Sequence, residues 1–347
     1  MTPPDGPGCP LPDDGAGNVL LGHGSGGRLM HRLLGDLIRP ALGGDTPATD
    51  AAVLPDAGGR LAFTTDSFVI RPLVFPGGDI GSLAVHGTVN DLAMSGASPA
   101  YLSVSLILEE GLALETLRQL LVSLRTAADA CGVCVVTGDT KVVERGKGDG
   151  LFINTSGIGR VPDDVDLGPW AIRPGDAVLV SGDLGRHGVA VLTAREALEL
   201  ETTVDSDSAS VAGAVTALLE AGIEVHCLRD LTRGGLSSAL NELASDCGRR
   251  IEVNEADIPV REDVAATCEL LGLDPLYVAC EGRFVAFVPE AHVERAVGVL
   301  QSLEVSAGAR RIGRVTDEPG RGVDLVSRIG ARRVLDMLAA DQLPRIC

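Results

Sequence analysis

Four aspartates in this chain stand beside small residues where a strand or a helix is expected to end. They are Asp50 in Thr49-Asp50-Ala51-Ala52-Val53, Asp66 in Phe63-Thr64-Thr65-Asp66-Ser67, Asp91 in Val89-Asn90-Asp91-Leu92-Ala93 and Asp139 in Thr137-Gly138-Asp139-Thr140. Taken singly, each is an ordinary cap or turn residue. Taken together, carboxylates without matching cations nearby are the hard oxygen donors that Mg2+ takes, with room left for nucleotide phosphates. Asp91 is the least expected of them, because the Asn90-Asp91 pair interrupts an otherwise apolar helical run over 83–94.

Other residue types could complete such a site. Gly22-His23-Gly24-Ser25-Gly26-Gly27 precedes a helical pattern and could lay backbone N–H groups over phosphates. It fits neither a Walker A loop nor a dinucleotide fingerprint, so alone it is a weak signal. Asp230-Leu231-Thr232-Arg233-Gly234-Gly235 offers an acid and a guanidinium at a second glycine turn before a helix. Only two of the 29 Lys and Arg residues are lysines, Lys141 and Lys147. Lys141, two residues after Asp139, could hold a phosphate or move a proton, which Arg does poorly. Glu281 precedes an apolar strand and could be a partly buried general base. The last residue, Cys347, follows Leu343-Pro344-Arg345-Ile346. It is expected to sit on a short mobile arm, where nothing local activates its thiol.

Periodicity supplies the elements that would position these groups. Strands are expected over 61–66, 102–108 and 152–161, with helices over 80–95 and 114–130 between them. A linker over 170–175 leads to a second set. There, strands are expected at 177–181, 283–288, 311–315, 323–326 and 332–335, and helices near 187–198, 208–221, after Gly235, 261–271 and 291–303. Strands and helices mix without strict alternation, which indicates α+β domains with mixed sheets. The divisions read as an N-terminal segment with the glycine-rich loop (1–43), a nucleotide-binding and dimerisation domain (44–168), a C-terminal α/β domain (169–336) and a tail (337–347).

Composition limits the partners. A net charge of −19 argues against nucleic acid or an anionic membrane. No apolar run approaches the ~18 residues of a membrane helix, and the N-terminus lacks the pattern of a signal peptide. A cytoplasmic location is expected. The eight cysteines then read as reduced thiols. Cys131-Gly132-Val133-Cys134 has C-x-x-C spacing but runs from a helix end into a strand, so both thiols are expected to be buried and inert. Cys227, Cys247, Cys268 and Cys280 are expected to be packing residues.

The stretches 63–67, 89–95, 136–141 and 229–235 together resemble the aminoimidazole-ribonucleotide-synthetase-like ATP-binding superfamily. Adding 22–27, 138–143, Asp274-Pro275-Leu276-Tyr277 and the closing Pro344-Arg345-Ile346-Cys347 narrows the resemblance to the HypE family of hydrogenase maturation proteins. The match runs over nearly everything after residue 18. Leu231, where Pro or Ala is usual, and Cys280, where Asn is usual, depart from the pattern. Cys280 bears on how Glu281 is oriented.

The resemblance implies a two-domain fold whose N-terminal domains pair their sheets into a shared barrel in a homodimer, with ATP between the two domains. It implies that the Cys347 thiol receives a carbamoyl group from the carbamoyltransferase HypF. ATP would then activate the carbamoyl oxygen, dehydration would leave a thiocyanate, and the cyano group would pass to iron held by a HypC–HypD complex. Gly24, Ser25, Gly26, Gly27, Asp66, Asn90, Asp91, Gly138, Asp139, Thr140, Asp230 and Arg233 would bind the nucleotide. Asp50, Asp66, Asp91 and Asp139 would hold Mg2+. Either Lys141 or Glu281 would take the nitrogen protons. Three other readings compete: a sister small-molecule kinase, a non-catalytic nucleotide-binding scaffold, and a thiol–disulfide protein using Cys131 and Cys134.

Overall fold

The computed structural model describes residues 17–24, 28–43, 59–195 and 204–337. Asp50, Ser25, Gly26, Gly27 and the closing segment with Cys347 lie outside the described residues. Two sheets organise the rest, one in each half of the chain.

The chain enters through α1 (Arg28–Arg32), a π-helical stretch (Leu33–Ile38) and α2 (Arg39–Leu42). Strand β1 (Arg60–Phe68) follows, then a small hairpin of β2 (Val74–Phe75) and β3 (Gly78–Asp79). Helix α3 (Ile80–Met94), β4 (Ser98–Glu109), α4 (Leu114–Ala130), β5 (Cys134–Val143) and β6 (Leu151–Val161) complete the half. The sheet order is β1-β6-β4-β5. Only β4 and β5 are parallel, because α4 carries the chain back between them.

Helix α3 starts where it does because Asp79 caps it. The Asp79 carboxylate accepts from the N–H groups of Gly81 (2.7 Å) and Ser82 (3.0 Å), and the Ser82 hydroxyl closes the box. The helix is apolar nearly all round, as its burial between the sheet, α4 and the second half requires. It crosses α4 so closely that a Cβ on Gly81 would lie 2.2 Å from the carbonyl of Leu120. Both helices cover one face of the sheet, and alternate residues of β4 and β6 fill the core beneath them.

The opposite face of that sheet carries Leu61, Phe63 and Thr65 of β1, all exposed, beside Ser156 and Ile158 of β6 and Ser103 of β4. No described element covers it. The two thiols of the C-x-x-C stretch were expected to be buried, and the structure corrects this. Cys131 is half-buried, and Cys134 is exposed because it opens the edge strand β5.

The second half holds β7 (Ala177–Val180), α5 (Arg186–Arg195), α6 (Ala212–Glu220), β8 (Cys227–Asp230), α7 (Gly235–Cys247) and β9 (Arg249–Asn254). It continues with α8 (Glu262–Leu271), β10 (Phe284–Val288), α9 (Val293–Gln301), β11 (Arg310–Pro319), β12 (Gly322–Val326) and β13 (Arg332–Val334). The seven strands lie in the order β13-β12-β9-β11-β7-β10-β8. Residues of β7 and β10 are buried on both faces, since apolar clusters pack against each side. Cys227, Cys268 and Cys280 pack in these clusters, and Cys247 is half-buried at the edge of one.

Three elements of the second half differ from the expected pattern. Strands β8 and β9 carry short or charged sequences that periodicity does not pick out. The helix expected from 208 begins only at Ala212, and residues 204–211 run as an irregular segment with their polar groups tied to both halves. Among the described residues, no helix is long and apolar enough to cross a membrane.

Candidate active site

Where α3 of the first half meets the edge strand β8 of the second, an open cleft of about 360 Å³, counting its mouth, forms. Asp66, Ser67, Phe68, Gly87, Asp91, Asp230, Thr232, Arg233 and Glu281 line it. Each carboxylate arrives from a different element. Asp66 comes from β1, Asp91 from α3, Asp230 from the end of β8, and Glu281 from the turn before β10.

Three hydroxyls fix two of these groups. Thr64 donates to Asp91 Oδ2 at 2.9 Å, and Thr88 donates to Asp66 Oδ2 at 3.0 Å. Thr88 is itself held by Thr155 of β6 at 2.5 Å. Asp91 also stands beside Asp66 on one side and Asp230 on the other. Carboxyls this close cannot all ionise without mutual repulsion. Burial, and then the charge of Asp91, push Asp66 up to about 6. Burial, and then Asp230, push Asp91 up to about 6. Asp230 is raised mainly by burial, against the pull of Arg229. Glu281 is raised well above the usual carboxylate range, first by burial and then by Asp230, Asp207, Asp66 and Asp91. Its Oε1 is buried and makes no hydrogen bond among the described residues.

Backbone geometry lets the turn after β8 approach. Gly234 and Gly235 both have left-handed φ, at 73° and 58°. A Cβ on Gly235 would lie 2.7 Å from the carbonyl of Val278. This turn delivers Thr232 and Arg233 to the cleft and starts α7 beside it. Cys280 is buried next to Glu281. Its N–H donates to the Leu231 carbonyl at 2.9 Å, and its Sγ accepts from Gly185 N–H at 3.2 Å.

The expected site residues therefore fall into two groups within one chain. Asp66, Asp91, Asp230, Arg233 and Glu281 converge in the cleft. Gly24, Gly138, Asp139, Thr140 and Lys141 gather instead at the β5 edge, where a Cβ on Gly24 would lie 2.9 Å from Val142. Lys141 Nζ lies 2.9 Å from Asp139, and both side chains are more than half exposed. Asp139 aligns in register with Ser67 across β4 and β6, three strand spacings away, or about 14 Å. Asn90 lies behind the cleft, and its amide bonds backbone groups of the second half. The residues that sequence reasoning passed over are Thr64, Thr88, Thr155 and Asp207. A hydroxyl two residues before Asp66 and another three before Asp91 were the only local hints.

Family models for AIR synthase related proteins match residues 48–161 (N-terminal domain) and 173–326 (C-terminal domain). The carbamoyl dehydratase HypE of Azotobacter vinelandii is 49% identical over 333 residues, covering 95% of this chain and 98% of that protein. The chain belongs to the HypE family of carbamoyl dehydratases. A crystal structure of hydrogenase maturation protein HypE in complex with ATP superposes with a TM-score of 0.90 at 46% identity. That match covers 94% of this chain and 99% of that one. A chain from a HypE–HypF complex matches with a TM-score of 0.78 at 39% identity, over 90% of this chain and all of that one.

The raised carboxyls make a stability prediction. Asp66 and Asp91 hold protons more tightly folded than unfolded, where carboxyls titrate near ~4. Their contribution to stability is therefore fully present below pH ~4 and lost as pH rises through about 6. Asp91→Asn should raise the melting temperature of the ligand-free protein by about 1–4 °C at neutral pH, with the gain shrinking toward pH ~5. A thermal melt series that shows no gain, or a gain that grows on acidification, contradicts the assignment.

Proposed function

We propose that this chain uses ATP to dehydrate an S-carbamoyl group on its own Cys347 to a thiocyanate, the source of a cyanide ligand for a metal centre. The observation that carries this reading is the cleft itself. Four carboxylates and Arg233 face one opening beside the start of α7, in a chain 46% identical to a HypE bound to ATP.

The residues present fit a divalent cation. Among the described residues, no three carboxylate, imidazole or thiol groups close into a cage of their own. That suits Mg2+, which takes one or two carboxylates and completes its shell with water and substrate phosphates. Asp66 and Asp91, which line the cleft together, would hold it, and it would neutralise triphosphate charge. Arg233 would pair with phosphate oxygens, and the first N–H groups of α7 favour an anion nearby.

The chemistry balances without a redox partner. The carbamoyl oxygen attacks the terminal phosphorus of ATP, releasing ADP. The nitrogen gives up its two protons, the C–O bond breaks with phosphate leaving, and a carbon–nitrogen triple bond remains on sulfur. Glu281 is placed to take a proton. Its carboxyl is buried and Oε1 has no hydrogen-bond partner among the described residues. Burial and the neighbouring carboxylates favour its protonated form in the empty cleft, and a cationic occupant would let it ionise and so accept a proton.

A second copy would supply the other group of residues. Leu61, Phe63 and Ile107 expose apolar surface on the uncovered sheet face, and both edges, β1 and β5, lack strand partners among the described residues. Two such faces pairing into a barrel would cover them. They would also give Asp139 and Lys141 of one chain a route to the cleft of the other. HypF would donate the carbamoyl group, and a HypC–HypD complex would accept the cyano group. Mg2+, the homodimer and these deliveries belong to the same reading.

Intact-mass measurement tests it. Chain incubated with HypF, carbamoyl phosphate and ATP should gain one carbamoyl group on Cys347 and then lose one water. Cys347→Ala should show neither change yet keep nucleotide binding, and Glu281→Gln should gain the carbamoyl but lose water about a hundredfold more slowly. A water loss that persists at the normal rate in Glu281→Gln removes the base assignment. For the dimer, Phe63→Glu should shift the species seen in sedimentation from dimer to monomer and depress turnover. An unchanged sedimentation coefficient contradicts pairing through this face.

A further inference from the structure

Asn90 is buried, adjacent to Asp91 on α3, and its carboxamide faces away from the cleft contacts just described. Its Nδ2 donates to the carbonyl of Ala209 at 3.0 Å and to the carbonyl of Glu281 at 3.3 Å. Its Oδ1 accepts from the N–H of Val211 at 2.8 Å. Two carbonyls and one N–H as partners permit only this orientation of the amide. Three of its hydrogen-bonding positions are thus committed to backbone of the second half, and no free donor is left to reach into the cleft.

The segment 204–211 holds Glu281 from its other side. Asp207 Oδ1 accepts the N–H of Glu281 at 3.2 Å, and Ala209 N–H donates to the Glu281 carbonyl at 3.4 Å. Both backbone polar groups of Glu281 therefore end on this segment or on Asn90, not on a neighbouring strand. Glycines make the approach possible at both ends. A Cβ on Gly282 would lie 2.0 Å from the Asp207 carbonyl, and one on Gly77 would lie 2.7 Å from Ser206 N. Further ties fix the segment: Ser206 N–H to the Pro76 carbonyl at 2.8 Å, and the Ser208 hydroxyl to His86 of α3 at 3.1 Å.

We propose that Asn90 is a positioning residue for Glu281: its carboxamide bolts the Glu281 backbone and the 209–211 stretch to α3. One helix then sets the distance between Asp91, which it carries, and Glu281, which belongs to the other domain. Without that tie, the carboxyl of Glu281 would be placed by the second domain alone. Any slack between domains would move it relative to Asp66 and Asp91, and misplacement by about 1 Å costs up to about a hundredfold in rate. The inference rests on the reading of Glu281 as the proton acceptor.

Single-turnover water loss from S-carbamoylated protein, followed against ATP concentration, tests it. The variants are Asn90→Ala, Glu281→Gln, the double variant and Gly282→Ala. Asn90→Ala should lower the maximal rate by about ten- to a hundredfold while the ATP concentration at half-maximal rate stays within about twofold. The double variant should be no slower than Glu281→Gln within about twofold, because the two changes act through one group. Gly282→Ala should reproduce the rate loss by displacing Asp207 without touching Asn90, and it serves if Asn90→Ala fails to fold. An ATP requirement raised tenfold or more with an unchanged maximal rate would assign Asn90 to the nucleotide and overturn the proposal. So would independent, multiplying losses in the double variant while Glu281→Gln alone is slow. A Glu281→Gln protein as fast as wild type overturns both this inference and the base assignment beneath it.

Discussion

Four carboxyls share one partly buried cleft, and that repulsion is the constraint around which the molecule is arranged. Asp66, Asp91, Asp230 and Glu281 each lose water by burial and each meets the charge of the others. An arrangement of this kind costs stability in the empty protein. It is relieved only by protons or by a cationic occupant. The scaffold opposes the repulsion with fixed partners: Thr64 on Asp91, Thr88 backed by Thr155 on Asp66, and Arg233 near Asp66. These groups hold the carboxyls in place in either state, so the cleft need not reorganise when it fills.

The fold explains why the cleft lies between the domains. Helix α3 is the shared element. It is capped by Asp79 and packed against α4, and it carries Asp91 toward the cleft and Asn90 toward the other half. The 204–211 segment meets it there, wedged between Gly77 and Gly282. This contact brings groups from four elements around one cleft. The sheet behind α3 is covered on one side only, and the residues at its β5 edge, Asp139 and Lys141, stand about three strand spacings from Ser67. One chain alone does not bring both groups together.

Much of this was legible in the amino-acid order, and the exceptions have physical causes. Helix α4 was expected over 114–130 and is found as Leu114–Ala130, because its apolar residues recur with helical spacing and bury one face. The mixed-sheet, two-domain architecture followed from strands and helices that do not alternate. Asp91 stood out because a charge inside an apolar helix needs a partner, and the structure supplies Thr64 and Asp230. Residues 208–211 read as helix because Ser, Ala and Val give no local contrary signal. Their conformation is set by His86, Asn90 and Glu281, which are distant in sequence. Cys134 was expected to be buried because its neighbours are valines, yet it opens an edge strand. Edge position is a property of topology, and no local pattern carries it.

Isothermal calorimetry of Mg·ATP binding tests the central claim most directly, run near pH 6 in buffers of different ionisation enthalpy. If the nucleotide and its cation displace protons held by Asp66 and Asp91, binding should release about one proton or more per site near pH 6. Binding with no proton released near pH 6, or with protons taken up, would contradict the account of the cleft.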